Sequence, residues 1–435
     1  MPRQVRPHES HKVMSETKTH PTSDSGKKGI GATLRNLGPG LIVAAAFIGP
    51  GTVTTASVAG ADYGFALLWA IVFSVLAAMV LQEMCARLGV VSREGLGEAL
   101  RTTFDNKAIK IGAIVLVIGA ITVGTAAFEG GNLTGAALAL TAVFGGSQAL
   151  WSSLVAVIAA GLLATGSYRA VERVLVWLVV LMGVVFLATA IMVVPDLGDL
   201  FSGLVPSVPS GSTLTVIALI GTTVVPYNLF LHAASVQDKW SEDVPTDQAV
   251  AEAKLDTRLS VGLGGLVTIA VLTTAAAALF STGKGVESAA DMATALEPLL
   301  GASAKYFFAF GLLAAGITSA VTAPLAAAYA TTGAFGWKRD LADPKFKAIW
   351  ALIIAVGVTF AILGSSPTEL IVFAQAANGL ILPIVAVFLL VVMNRKDLLG
   401  KHVNTAGANV IGGLVVLVAI GLGMWSILRA FGVVG

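Results

Sequence analysis

Cysteine and charge are what this sequence has least of. The 435-residue chain contains one cysteine, Cys85, which excludes a disulfide framework and a zinc site built on cysteines. Only 12% of its residues are charged, whereas roughly 25% is typical of soluble domains. A net charge of +2 gives no reason to expect a nucleic acid partner. With 56% hydrophobic residues, the chain is expected to use a lipid bilayer as its solvent.

Motifs of the common enzyme classes are also missing. The sequence has no Walker A phosphate-binding loop, so we do not expect ATP to drive the protein directly. We predict that the protein is not an enzyme and that it needs no cofactor.

Long apolar runs, separated by short polar breaks, fill the chain instead. A membrane-spanning helix needs roughly 20 apolar residues. The sequence predicts eleven such helices, near residues 39–60, 67–90, 110–142, 149–165, 170–194, 213–235, 259–281, 303–334, 348–364, 369–393 and 407–431.

The distribution of Lys and Arg predicts the orientation of these helices. Most of the basic residues lie in alternate connections, among them 86–110, 236–258 and 394–403. The positive-inside rule then places the N-terminus in the cytoplasm and the C-terminus outside. We therefore predict a multi-pass protein of a bacterial-type inner membrane. Residues 1–36 are polar and lack the apolar segment of a signal peptide, which predicts a disordered cytoplasmic tail.

Two of the predicted helices carry a proline in the middle of an unusual tetrapeptide. The first helix contains GPGT at residues 49–52, and the sixth contains VPYN at residues 225–228. Proline removes a backbone donor, and in lipid the freed groups need partners in the protein or in a wet cavity. The breaks occupy equivalent places in two groups of five helices, which is the pattern of an inverted-repeat transporter with its site at the repeat interface.

This organisation divides the chain into four parts. After the tail, we predict a first repeat at 37–195, a second repeat at 213–393 and an eleventh helix at 404–435. The predicted fold class is an all-α membrane protein.

Several segments resemble the natural resistance-associated macrophage protein (Nramp) family of divalent-metal transporters. The resemblance runs from about Leu37 to the end of the chain, and it includes GTTVVPYNLFLHAASV, FAFGLLAAGITSAVTAPLAAAYATTGAFG and FAQAANGLILPIVAVFLLVVMNRKDLLG. It implies a leucine-transporter-type fold, with five plus five helices in an inverted repeat and an eleventh helix. It also implies a secondary transporter that works by alternating access.

The two broken helices depart from the family's binding motifs. The family has Asp-Pro-Gly-Asn in the first helix and Met-Pro-His-Asn in the sixth. Gly49 therefore stands where the family has a metal-binding carboxylate, and Val225 stands where it has a soft thioether. Thr52 replaces an amide, and Tyr227 replaces a histidine.

The resemblance implies a substrate site between the two breaks. Neutral oxygens suit a hard cation such as Mg²⁺ or Mn²⁺ better than softer metals. The weak metal ligands expected are Thr52, Asn228 and Gln375. The full predicted substrate site is Ala46, Gly49, Thr52, Thr223, Val225, Tyr227, Asn228 and Gln375.

A proton or ion relay is the second site that the resemblance implies. The family has two acidic residues three apart in the third helix, and this chain has Glu129 and Asn132 there. His232 matches a family histidine one turn after the second break. A lone carboxylate in an apolar segment is costly, so Glu129 is predicted to be paired, wet or protonated.

Two functions remain open from the sequence. The first is transport of a divalent cation, with proton coupling as an option. The second is transport of a non-metal solute, such as a small organic zwitterion, because the carboxylate and the thioether are absent. In either case the expected partners are the cargo and the lipid bilayer, and we expect a monomer.

Overall fold

The computed structural model describes residues 39–40, 48–165, 169–193, 197–283, 285–364 and 366–430. Almost all of these residues are helical. The predicted tail at 1–36 and the candidate site residue Ala46 lie outside the described residues. The first predicted helix is described at residues 39–40 and from residue 48 onward.

Ten helices in the described part of the chain are long and apolar enough to cross a membrane. Their positions confirm the predicted spans from the second onward, to within a few residues at most ends. The seventh predicted span is part of a longer helix, because polar helical turns that begin at Thr246 precede its apolar part. The α-helices are α1 Pro50–Tyr63, α2 Leu68–Ser92, α3 Leu96–Thr103, α4 Lys107–Phe144, α5 Gln148–Thr165, α6 Arg169–Val193, α7 Leu197–Ser202, α8 Thr213–Thr223, α9 Pro226–Lys239, α10 Thr246–Leu279, α11 Ala289–Thr294, α12 Glu297–Leu300, α13 Ala304–Phe335, α14 Pro344–Leu363, α15 Pro367–Met393, α16 Lys396–Leu399 and α17 Ala406–Ala430.

The predicted break in the sixth span is present. Helix α8 ends at Thr223 and α9 begins at Pro226, and Val224 and Val225 between them have non-helical backbone angles. Helix α1 begins at Pro50, with Gly49 extended before it. In both places proline occupies the first helical position, where its missing N–H costs no hydrogen bond.

Helix α4 lies at the centre of the bundle and packs against α13, α14 and α15. Helix α1 packs mainly on α10, and α8 packs mainly on α15. Small residues allow close approach: a Cβ atom added to Gly135 of α4 would overlap the Pro50 ring, and one added to Gly316 of α13 would lie 2.5 Å from the Ala136 Cβ. Such contacts are typical of helices that associate in lipid.

Large apolar side chains cover the outer faces of the long helices. Val115 of α4 is 66% exposed, Val157 of α5 is 69% exposed and Leu417 of α17 is 68% exposed. In water such a surface would be a liability, whereas in a bilayer it faces lipid tails at no cost. The chain is a multi-pass membrane protein.

Candidate transport site

The second break places two polar side chains in a fully buried environment. Tyr227 and Asn228 lie in the first turn of α9, and the Asn228 N–H donates to the Val225 carbonyl at 3.1 Å. The Tyr227 ring meets Phe128 of α4 edge to face, with the ring centres 5.3 Å apart. The Tyr227 hydroxyl and both amide atoms of Asn228 have no hydrogen-bond partner in the protein. Buried polar atoms of this kind need an explanation, commonly water or an ion.

The first break is lined by side chains from other helices. A Cβ atom added to Gly49 would lie 2.7 Å from the Ser319 Oγ of α13. A Cβ atom added to Gly51 would overlap the side-chain amide of Gln375. The backbone around Pro50 is therefore directly covered by a hydroxyl and an amide.

A hydrogen bond joins the two broken helices. The hydroxyls of Thr52 in α1 and Thr222 in α8 lie 2.8 Å apart, and both residues are buried. Thr223 ends α8, where the last carbonyls of a helix lack partners within it. Its own hydroxyl donates to the Leu219 carbonyl at 3.0 Å, so the hydroxyl is already engaged within the helix.

Gln375 lies where three helices meet. Its side chain covers Gly51 of α1. A Cβ atom added to Gly131 of α4 would lie 3.4 Å from the Gln375 Nε2, and one added to Gly221 of α8 would overlap the backbone carbonyl of Gln375. Gln375 is fully buried, and neither polar atom of its side chain has a protein partner. The structure thus brings Gln375 to the first break, as the sequence predicts, while its role in binding stays a prediction.

Glu129 and Asn132 form a buried pair on α4. The Asn132 Nδ2 donates to the Glu129 Oε2 at 3.4 Å, and both residues are fully buried. The remaining oxygens, Glu129 Oε1 and Asn132 Oδ1, have no partner in the protein. A Cβ atom on Gly49 would lie 3.8 Å from the Asn132 Oδ1, so Asn132 reaches the first break.

His232 stands one turn after Asn228 on α9 and contacts α2. Its Nδ1 lies 2.8 Å from the Gln82 Oε1, and its Nε2 has no partner. Both side chains are buried. His232 is therefore held by an amide, and no protein group ties its second ring nitrogen to Glu129.

Three residues of this region are absent from the predicted site: Ser319, Thr222 and Gln82. Each is a polar residue within a predicted apolar span, and such residues commonly face the bundle interior. That signal marks them as interior residues without saying which break or partner they face.

The chemistry of the site is almost entirely neutral. The side chains around the breaks are amides, hydroxyls and a phenol, and the Glu129 carboxylate is linked to them through its hydrogen bond with Asn132. No cluster of three or more His, Cys, Asp or Glu side chains suited to a metal ion occurs in the described part of the chain. The arrangement suits a cargo that is bound through oxygen and keeps part of its water shell.

Comparison with known proteins assigns this architecture to one group. A model of the family described as natural resistance-associated macrophage protein-like, Nramp, matches residues 40–429. The Deinococcus radiodurans protein named divalent metal cation transporter MntH is 30% identical over 417 residues, which cover 93% of this chain and 92% of that protein.

Solved structures agree on the fold. The manganese transporter of Eremococcus coleocola, in complex with an aromatic bis-isothiourea substituted compound, superposes with a TM-score of 0.77 at 24% identity, covering 96% of this chain and 90% of that one. MhsT in complex with L-phenylalanine superposes with a TM-score of 0.57 at 13% identity, covering 89% and 98%. The predicted leucine-transporter-type fold is confirmed.

Proposed function

This chain belongs to the Nramp family, a family of transporters, and from that premise we propose that it carries a divalent cation across a membrane by alternating access. The cation is bound between the two helix breaks. The D. radiodurans relative, named as a divalent metal cation transporter, supports this choice of cargo over a small organic solute.

The observation that carries the proposal is the set of buried polar atoms left without protein partners at the breaks. They include both amide atoms of Asn228 and of Gln375, and the Asn132 Oδ1. Most buried polar atoms in proteins are paired, because leaving one unpaired costs about 1–3 kcal/mol. A cation with its remaining water molecules would satisfy these atoms together.

The ligand chemistry favours Mg²⁺ or Mn²⁺ over softer metals. Amide and hydroxyl oxygens are hard ligands, and Val225 supplies no sulfur. Mg²⁺ dehydrates reluctantly and is usually bound with several of its waters. A site of neutral oxygens with one nearby carboxylate therefore binds such a cation weakly and as a partial hydrate.

The position of the breaks supports alternating access. Helices α1 and α9 each begin at a proline next to the site, so their ends can tilt without breaking a regular run of helical hydrogen bonds. Small residues at the contacts, such as Gly135 against Pro50, let the helices slide with little loss of packing. Proton coupling through Glu129, Asn132 and His232 is part of the proposal.

The bacterial relative and the charge pattern support an inner-membrane location with the N-terminus in the cytoplasm. Transport as a monomer is also part of the proposal.

Reconstituted protein provides the test. Purified protein is titrated calorimetrically with Mg²⁺, Mn²⁺ and Ca²⁺, and uptake of the same ions is measured in proteoliposomes. We expect saturable uptake of Mg²⁺ or Mn²⁺ that Asn228→Ala weakens. Asn394→Ala, an exposed amide at the end of α15, is the matched control and should leave uptake unchanged.

Absence of both binding and uptake at millimolar metal would overturn the cation proposal. The non-metal solute would then be the remaining candidate, and amino acids and other small zwitterions would be tested in the same vesicles.

A further inference from the structure

The backbone of Gly49 is faced by oxygen atoms from two other helices. A Cβ atom built on Gly49 would lie 2.7 Å from the Ser319 Oγ and 3.6 Å from the Ser319 Cβ. The same point lies 3.8 Å from the Asn132 Oδ1. Ser319 belongs to α13 and Asn132 to α4, and both are fully buried. Two oxygens from separate helices therefore converge on the place where a side chain of residue 49 would project.

The orientation of the Asn132 amide is fixed by its neighbour. The Asn132 Nδ2 donates to the Glu129 Oε2 at 3.4 Å, which turns the amide nitrogen toward Glu129. The Asn132 Oδ1 consequently points toward Gly49, where it has no protein partner. A fully buried amide oxygen without a partner, directed at a helix break, indicates a ligand at that point.

We propose that Ser319 and Asn132 bind the cargo cation and set its selectivity, taking the place of a ligand on the first broken helix. This inference rests on the proposed function and names the ligands of the same site. Because α1 carries only a hydrogen atom at residue 49, the ligands on that side come from α4 and α13. The cation is held between these two oxygens, beside the bare backbone of Gly49.

The chemistry of the two groups fits this role. A serine hydroxyl has one hydrogen to donate and two lone pairs, so Ser319 can donate elsewhere and still offer an oxygen to a cation. Glu129 polarises Asn132 through their hydrogen bond and makes its oxygen a stronger ligand. Both ligands are hard and neutral, which favours Mg²⁺ or Mn²⁺ over Cd²⁺.

A change of ligand softness tests the assignment to Ser319. Ser319→Cys puts a soft sulfur where the hydroxyl oxygen lies, and uptake of Mn²⁺ into proteoliposomes is measured with Cd²⁺ and with Mg²⁺ as competitors. We expect the ratio of Cd²⁺ to Mg²⁺ potency to rise at least about tenfold. If Ser319 only packed against Gly49, the substitution would change the rate of Mn²⁺ uptake without raising the ratio of Cd²⁺ to Mg²⁺ potency.

Thr332→Cys is the matched control. Thr332 is also buried on α13, its hydroxyl donates to the Ala328 carbonyl at 2.7 Å, and it lies about 20 Å along the helix from Ser319. Its Cd²⁺ to Mg²⁺ ratio should match that of the parent protein.

Two further variants cover the case in which Ser319→Cys does not fold. Ser319→Ala and Asn132→Ala should each raise the KM for Mn²⁺ at least about tenfold, with a smaller effect on kcat. Equal metal preference in Ser319→Cys and Thr332→Cys, or an unchanged KM in both alanine variants, would overturn the inference while parent uptake stands. If the parent itself takes up no divalent cation, the proposed function fails instead.

Discussion

The hydrogen bond between Thr52 and Thr222 predicts that the two broken helices depend on each other energetically. Their hydroxyls lie 2.8 Å apart in a buried setting, and they come from α1 and α8, on either side of the site. Thr52→Val and Thr222→Val each remove one hydroxyl and keep the side-chain shape. A typical buried hydrogen bond contributes about 1 kcal/mol, so each single variant should lose about 1 kcal/mol of free energy of unfolding.

The double variant isolates the energy of the hydrogen bond between Thr52 and Thr222 from the other effects of each substitution. Because the bond between Thr52 and Thr222 is lost in all three variants, the double variant should lose about 1 kcal/mol less than the sum of the two single losses, whereas independent sites would give the full sum. Unfolding by SDS in mixed micelles, followed by the fluorescence of the seven tryptophans, measures these free energies.

Thr223→Val supplies the control for this cycle. The Thr223 hydroxyl bonds within its own helix, at 3.0 Å from the Leu219 carbonyl. Its effect should add to that of Thr52→Val within about 0.5 kcal/mol. Additive losses for Thr52→Val and Thr222→Val would refute the claim that their bond couples the broken helices.

Three further predictions concern charge and topology. Glu129→Gln should reduce transport or flatten its pH profile while folded protein is retained, because the variant cannot exchange a proton; an unchanged profile would indicate a structural carboxylate. In right-side-out vesicles, a membrane-impermeant maleimide should label Ser147→Cys and leave Lys396→Cys unlabelled, and the reverse pattern would invert the predicted orientation. Gly49→Asp together with Val225→Met should tighten Mn²⁺ binding by about 10- to 100-fold, as measured by calorimetry. No gain would mean that the rest of the site, including the Ser319 hydroxyl that a Cβ atom at residue 49 would meet at 2.7 Å, is no longer suited to a metal with these ligands.

The chain itself offers a control for the Glu129→Gln prediction and another for the maleimide-labelling prediction. Glu369 is exposed at the start of α15, so Glu369→Gln changes the same charge away from the site and should leave the pH profile unaltered. The native thiol of Cys85 is buried, so it should not react with the maleimide.

The spans and the second break could be predicted because they depend on local chemistry. An apolar run such as 110–142 must form a helix in lipid, and the structure extends it only to Lys107–Phe144. Proline at residue 226 cannot continue the hydrogen bonds of the preceding helix, so the break at Val224 and Val225 follows from the sequence alone.

The lateral neighbours of each helix could not be predicted in this way. A helix that is apolar on every side carries no stripe to show which face meets the bundle. Ser319 stands 270 positions from Gly49, and only the packing of α13 beside α4 brings its hydroxyl to the first break. The resemblance to the Nramp family predicted Gln375 at the same site. A comparison of the motifs on α1 and α9 cannot reveal that a side chain on α13, Ser319, also lies there.

Three of the departures at the site act in the same electrostatic direction. Relative to the family pattern, Gly49 removes a carboxylate, Asn132 stands where a second acid is expected, and Val225 removes a polarisable sulfur. Burying a doubly charged ion costs several kcal/mol or more unless opposite charge or many oxygens compensate it. With the Glu129 carboxylate linked to the first break only through Asn132, full dehydration of a dication would be uncompensated. A cation that enters this site must therefore bring water with it, and the unpartnered amides of Asn228 and Gln375 are groups that such water can bond.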